Sequence, residues 1–469
     1  MKRWMVALMC ALTCLLFLAG CRRYEPMMDL TDTEPAQAES SAGPLETEPA
    51  ETEETAPLEE SPAPEESEEM IRISTKPDPV KVKGIYLTAN TAGSEDRMDE
   101  IIGYIDQTEL NAVVIDVKDD FGNVTFQMDS PAVNEIEAVR AYISDMPALA
   151  EKLKDHGIYM IARIPAFRDP YLAERKPEWC LKLSDGSIYT DRNGQAWVDP
   201  YKREVWDYLI EIAKEAGEAG FDEIQFDYVR FCTERGMDDV VFDPEDTQGM
   251  DKTQIITEFV KYAYEQLSSQ GLYVSADVFG TIIDSTQDAQ IVGQSYGEMA
   301  ENLDYICPMI YPSHYGNGNF GIDYPDTQPY ETILGALSSS RRELAEYGVP
   351  EEEMAAVRPW LQDFTASYLE HYIEYGDEEI RAQIQAVYDA GYDEWILWSA
   401  SNRYHYGGLL TPEAAEEEAR QIEASRAEAE EAAAESAAEP QDEPETGGPA
   451  NQDPGQSAPE TGQSPEESL

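Results

Sequence analysis

Lys202-Arg-Glu-Val-Trp-Asp-Tyr-Leu-Ile-Glu-Ile-Ala-Lys-Glu-Ala-Gly-Glu-Ala-Gly-Phe-Asp-Glu-Ile-Gln-Phe-Asp-Tyr-Val-Arg-Phe231 holds one full unit of a repeating pattern. Between Lys202 and Ala219 the apolar residues Val205, Leu209, Ile212 and Ala216 recur every three to four positions, which predicts an amphipathic helix. Gly220 follows, where a helix commonly ends on a left-handed residue. Glu223–Phe231 then reads as a strand of mostly apolar residues, broken by Asp227 near its end.

The same unit recurs on both sides. Strands are predicted at Val82–Ala89, Ala112–Lys118, Tyr159–Phe167, Glu223–Phe231, Tyr273–Gly280, Tyr305–Pro312, Ala356–Phe364 and Glu394–Ala400. Helices are predicted at Arg97–Gln107, Met146–His156, Lys202–Ala219, Thr253–Ser269, Tyr330–Tyr347 and Glu378–Ala390, with Gly157, Gly220, Gly271, Gly348 and Gly391 ending five of them. Such alternation predicts an α/β protein, a (β/α)8 TIM barrel. The rival, a doubly wound open sheet, would carry a glycine-rich phosphate loop after an early strand, and the chain has none.

The flanks differ from this core. Lys2 and Arg3 precede an apolar run, Met5–Leu18, that is too short to span a bilayer and suits a signal peptide. Leu18-Ala19-Gly20-Cys21 resembles the lipobox of bacterial lipoproteins, which implies lipidation of Cys21 and an export route to the outer face of the cell membrane. The sequence therefore divides into a signal peptide (1–20), an acidic linker rich in Pro, Ser and Thr (21–78), the barrel (79–411) and an Ala/Glu-rich, then disordered, tail (412–469). With 95 Asp and Glu against 33 Lys and Arg the chain carries a net charge of −62, a poor match for nucleic acid, whose affinity comes from cations on phosphate. A membrane contact is expected only through the lipid, and the barrel is expected to act as a monomer. Cys180, Cys232 and Cys307 remain after the signal, and nothing in the sequence selects a pair among them.

In a (β/α)8 barrel the active site lies at the C-terminal ends of the strands. Polar residues gather there: Asp116, Lys118 and Asp119 after strand two, Arg163 on strand three, and Gln225, Asp227 and Arg230 on strand four. Asp277 lies on strand five, Tyr311 and His314 follow strand six, Trp360, Gln362 and Asp363 mark strand seven, and Trp398 strand eight. A lone polar residue in a buried strand is as well explained by a structural ion pair; acids on four strands aimed at one mouth are not. Glycosidic bonds are usually cleaved by two carboxylates, one a proton donor and the other a nucleophile or base. Asp227, Asp277 and Asp363 are the catalytic candidates by position. Arg163 and Arg230 would keep one of them ionised and, with Asp116, Lys118, Tyr311, His314, Trp360, Gln362 and Trp398, would contact substrate, with Tyr315 a further stacking ring. The four histidines are too few at strand ends for a histidine-rich metal barrel, no Gly-x-Ser-x-Gly elbow is present, and no organic cofactor is implied. Two rivals remain open: a non-catalytic polysaccharide-binding lipoprotein, and a metal-dependent hydrolase using Asp116 and Asp119.

Val-Lys-Gly-Ile-Tyr-Leu-Thr-Ala near 82, Val-Ile-Asp-Val-Lys-Asp at 114–119, Ala-Arg-Ile-Pro-Ala-Phe at 162–167 and Ile-Gln-Phe-Asp-Tyr-Val-Arg-Phe at 224–231 together resemble the DUF4015 glycoside hydrolase family. Ser-Ala-Asp-Val-Phe-Gly at 275–280, Pro-Met-Ile-Tyr-Pro-Ser-His-Tyr at 308–315 and Pro-Trp-Leu-Gln-Asp-Phe at 359–364 extend the resemblance over about 82–405. It implies a TIM barrel similar to α-amylase-like and α-galactosidase-like enzymes, and a hydrolytic role on carbohydrate. In the amylase-like arrangement the nucleophile would be Asp227, the acid Asp277 and the third carboxylate Asp363. The strand-five acid of amylases is usually Glu, so Asp277 departs from that pattern by one methylene.

Overall fold

The computed structural model describes residues 76–350 and 353–438. Its strands are β1 (Lys83–Leu87), β2 (Ala112–Asp116), β3 (Tyr159–Pro165), β4 (Glu223–Asp227), β5 (Tyr273–Phe279), β6 (Tyr305–Met309), β7 (Ala356–Val357), β8 (Trp360–Gln362) and β9 (Trp395–Trp398). All pair in parallel in the order β5-β4-β3-β2-β1-β9-β8-β6-β7, and the β5–β6 pairing closes the sheet into the expected (β/α)8 barrel. The anticipated seventh strand is two pieces, β7 and β8. Pro359 lies between them and has no N–H for the ladder; β7 pairs β6 alone, while β8 lies between β6 and β9 and pairs both.

Six long outer helices match the pattern: α1 (Glu95–Ile105), α2 (Met146–Asp155), α3 (Arg203–Glu218), α4 (Lys252–Ser268), α5 (Pro329–Tyr347) and α6 (Asp377–Asp389). α3 buries Val205, Trp206, Leu209, Ile212 and Ala213 and leaves its charges outside. Gly220, at φ +110°, turns the chain from α3 into β4 at a backbone angle that costs other residues energy. Two short helices, Thr286–Val292 and Tyr296–Ala300, fill the β5–β6 connection, which the helical periodicity did not reveal.

Strand alternation sends Tyr86, Ala112, Val114, Tyr159, Ile161, Tyr273, Tyr305, Cys307, Trp360 and Ile396 into one buried interior cluster. The barrel's hold on the chain begins before position 79. Lys76 Nζ bonds both oxygens of Asp304 at 2.6 Å and lies over the Tyr264 and Tyr273 rings, so the chain is fastened at the N-terminal end of the strands. The first compact unit ends at Ala415, and within the second (416–469) the described residues continue the helix Pro412–Ala438. Among the described residues no helix is long and apolar enough to cross a membrane. The expected signal peptide, Cys21 and nearly all of the acidic linker lie outside the described residues. Cys180, Cys232 and Cys307 are buried free thiols, which answers the pairing left open by the sequence.

Candidate active site

Two residues past the inward-facing Ile161 and Gln225, strand alternation brings Arg163 and Asp227 to the upper interior of the barrel. Arg163 is the hub there. Its Nε and a terminal nitrogen donate to Asp227 Oδ2 at 2.9 and 2.6 Å, another terminal nitrogen to Asp116 Oδ1 at 2.7 Å, and Asp120 Oδ1 accepts at 2.8 Å. Tyr86 donates from its hydroxyl to the second oxygen of Asp116 at 2.6 Å. Three carboxylates therefore share one guanidinium, whose flat fork suits several acceptors at once.

Asp227 Oδ1 accepts the backbone N–H of Tyr228 at 2.6 Å, so both Asp227 oxygens are placed as acceptors. Tyr228 itself stands at φ +47°, a strained angle for a bulky residue. Its ring is held by Arg168 and Arg230, at 4.8 and 5.1 Å from the centroid, and by a hydrogen bond from Arg168 to its hydroxyl.

β4 and β5 pair up to Phe226 and Ala276, so the next inward positions on the two strands are Asp227 and Asp277. Asp277 Oδ1 accepts from Trp360 Nε1 at 2.6 Å. Burial drives its carboxyl well above the usual range, and the Asp227 charge pushes it the same way. Asp116 is pushed up to about 7, chiefly by burial, against the pull of Arg163. At Asp120 burial works against ionisation, yet Arg163 and then Arg168 bring the carboxyl below its ordinary value. Asp120 and Asp227 also keep the most solvent contact, with side chains 21% and 13% exposed, against 6% for Asp116.

The opposite wall is aromatic. Trp398 lies 6.5 Å from Tyr86 with nearly parallel rings, and Tyr311 and Phe364 stand 5.7 and 5.3 Å from Trp398. Tyr311 faces His314 at 5.2 Å.

The structure thus brings Asp116, Arg163, Asp227, Asp277, Tyr311 and Trp398 together. Other expected residues stand elsewhere. Asp363 is turned away to the loop after β9, where its oxygens accept from the His405 backbone N–H at 3.0 Å and meet His405 Nδ1 at 2.5 Å. Lys118 is fully buried in an ion pair with Asp169 (2.8 Å), because the chain leaves the barrel wall after Asp116. Trp360 is a buried support for Asp277 instead of an exposed stacking face. Gln362 spends its side chain on Asp326, the Phe364 carbonyl and the Ser313 N–H. Arg230 lies among Trp197, Tyr228 and Phe279. Tyr315 is buried beside Gly280, where an added Cβ would stand 2.3 Å from its hydroxyl. Asp119 closes its own turn by accepting from the Phe121 and Asn123 N–H groups, so it does not converge with Asp116 on a cation position. Among the described residues no group of three or more His, Cys, Asp or Glu is arranged to hold a metal.

Tyr86, Asp120 and Tyr228 were not singled out in the sequence. Alternation from Val82 places Tyr86 inward, but Asp120 depends on the 119–123 turn, which strand periodicity does not encode.

The family model described as "Putative glycosyl hydrolase domain", DUF4015, matches residues 84–404. The chain belongs to the DUF4015 family. No curated protein matches it. Among solved structures, this DUF4015 member is similar to a hypothetical protein from Ruminiclostridium thermocellum ATCC 27405, with 42% identity over 41% of this chain and 97% of that one and a TM-score of 0.39. It is also similar to the PgaB (BpsB) glycoside hydrolase domain from Bordetella bronchiseptica, with 13% identity over 68% and 94% of the two chains and a TM-score of 0.48. The spore cortex-lytic enzyme SleL from Bacillus megaterium QM B1551 matches at 13% identity over 71% and 74%, with a TM-score of 0.40.

Proposed function

We propose that this DUF4015 domain hydrolyses a poly- or oligosaccharide with Asp227 and Asp277 as its carboxylate pair, on an exported lipoprotein anchored through Cys21. The observation that carries the reading is the contrast between these two neighbours. Asp227 has both oxygens filled by donors, the arrangement of a group that attacks or accepts a proton. Asp277 is buried, and its proton is held firmly. A buried carboxyl that keeps its proton beside one whose oxygens both accept from donors divides the acid and base roles. Asp277 gives its proton to the glycosidic oxygen as the bond to the anomeric carbon breaks. Asp227 attacks that carbon; water then gives a proton to Asp277 as it displaces Asp227 and releases the sugar. Parallel strands lie about 4.8 Å apart, close to the roughly 5–5.5 Å carboxyl gap of retaining enzymes, which favours a retaining course. Trp398 and Tyr311 present ring surface to the sugar, and Asp363 shapes the mouth through His405.

A second reading, a binding protein without turnover, draws on the depth of Asp277, which a leaving oxygen must reach. Assay of purified wild type and Asp227→Asn on a panel of polysaccharides separates the two. Loss of turnover on the order of 10³-fold with unchanged unfolding temperature supports catalysis. Turnover retained by Asp227→Asn overturns the assignment, and unchanged glycan affinity with no turnover in either protein favours binding alone.

A further inference from the structure

We propose that the loops after β6 (310–328) and β8 (363–376) form a rigid platform that carries an extended, uncharged polysaccharide to the carboxylate pair; this rests on the hydrolase reading above. The first observation is exposed ring surface. Tyr324, Tyr368 and Tyr372 are 37%, 50% and 42% exposed, and all three lie on these two loops. Tyr324 packs on His371 at 3.8 Å between centroids, which ties one loop to the other. Tyrosine and histidine rings present an apolar face and a polar edge, the complement of a sugar ring with its C–H face and hydroxyl rim.

The second observation is rigidity. Gln362 donates to Asp326 at 3.0 Å and accepts from the Ser313 N–H at 3.0 Å. The Tyr375 hydroxyl donates to the Asp326 carbonyl at 3.1 Å, and the Tyr375 N–H to Thr365 at 3.0 Å. The two loops are thus cross-braced, so their rings lose little freedom on binding.

Continuity with the site is the third. Tyr368 lies close to the Ser313 side chain. The adjacent His314 faces Tyr311, which leads to Trp398 and the interior acids. Rings thus occur both on the exposed loops and beside the acids, which fits a polymer better than a monosaccharide.

Charge decides the class of polymer. These loops hold Asp323, Asp326, Asp363, Glu370 and Glu374 and no Lys or Arg. A uronate, phosphate or sulfate polymer would be repelled, and no cation is there to bind one.

The test is retention of the full protein on insoluble cellulose, chitin and mannan and on polygalacturonate and chitosan, with wild type, Asp227→Asn and Tyr368→Ala/Tyr372→Ala, each checked by thermal unfolding. The expected result is retention of wild type and Asp227→Asn on at least one neutral polysaccharide, insensitive to salt, and about tenfold weaker retention of the double tyrosine variant at unchanged stability. Equal retention of the double variant, no binding to any neutral polymer, preference for polygalacturonate, or binding to chitosan alone that salt abolishes would each overturn it. Because binding by Asp227→Asn is read without turnover, failure of the platform and failure of the hydrolase reading give different results.

Discussion

β4 carries a carboxylate at each end, and the two ends are built differently. At the N-terminal end Glu223 is fully buried. Both its oxygens accept from one terminal nitrogen of Arg358 (2.8 and 2.9 Å), Ser275 donates at 2.5 Å and Tyr159 at 3.2 Å. Arg358 passes its Nε to Glu394 at 2.8 Å and lies over the Tyr305 ring at 3.8 Å. At the C-terminal end, four residues on, Asp227 shares Arg163 with Asp116 and Asp120, and Asp277 has Trp360 as its donor. Glu223 is matched by donors and closed off, as a buried ion pair must be to survive, while Glu394 beside it is 13% exposed. Above, three acids share one cation against two below, and Asp120 is the most exposed of all, its side chain 21% accessible. Similar side chains thus serve stability at one end and, in the reading proposed above, reaction at the other, the division expected of barrel ends.

The largest effect is expected from cutting the lower network. Arg358→Met leaves Glu223 and Glu394 without their cation and should cost about 3–5 kcal/mol in denaturant unfolding, while the folded fraction keeps its turnover. A cost below about 1 kcal/mol would mean that the closed end is not what holds the barrel.

Asp277→Asn probes the upper end through pH. Asparagine can accept from Trp360 as the protonated acid does. Because the folded-state value of Asp277 is raised, the unfolded chain releases its proton first as pH climbs past the ordinary carboxylate range, and the wild type loses stability. The variant should match wild type in Tm near pH 4 and exceed it at pH 8, with hydrolysis lost at both. A Tm difference that does not change with pH would break the contrast between the ends.

The smallest effect is expected from Glu394→Gln. The amide oxygen can still accept from Arg358 and from the Val82 N–H, which bonds Glu394 at 3.0 Å, so the loss should be near 1 kcal/mol. A much larger loss would show that the second lower charge is indispensable.

Much of this was legible in the sequence. Strand and helix periods, with glycines such as Gly220 between them, gave the barrel, and the position of acids at strand ends pointed to Asp227, Asp277 and Asp116. What strand period cannot encode is where a side chain turns once the strand stops. Lys118 and Asp363 lie just beyond their strands, and each is drawn to a partner from a loop, Asp169 and His405. Trp360 looked like a sugar platform because tryptophans often are; its indole N–H is instead committed to Asp277, a contact 83 residues apart in the chain. Asp120 was hidden for the converse reason, since the turn at 119–123 returns it to Arg163.

The central claim is that two adjacent carboxyls hold opposite proton states. Neutron diffraction from crystals of the deuterated protein at pH 7 tests it directly. The account predicts a deuteron on the Asp277 carboxyl and none on Asp227; a deuteron on Asp227, or a bare Asp277, would contradict it.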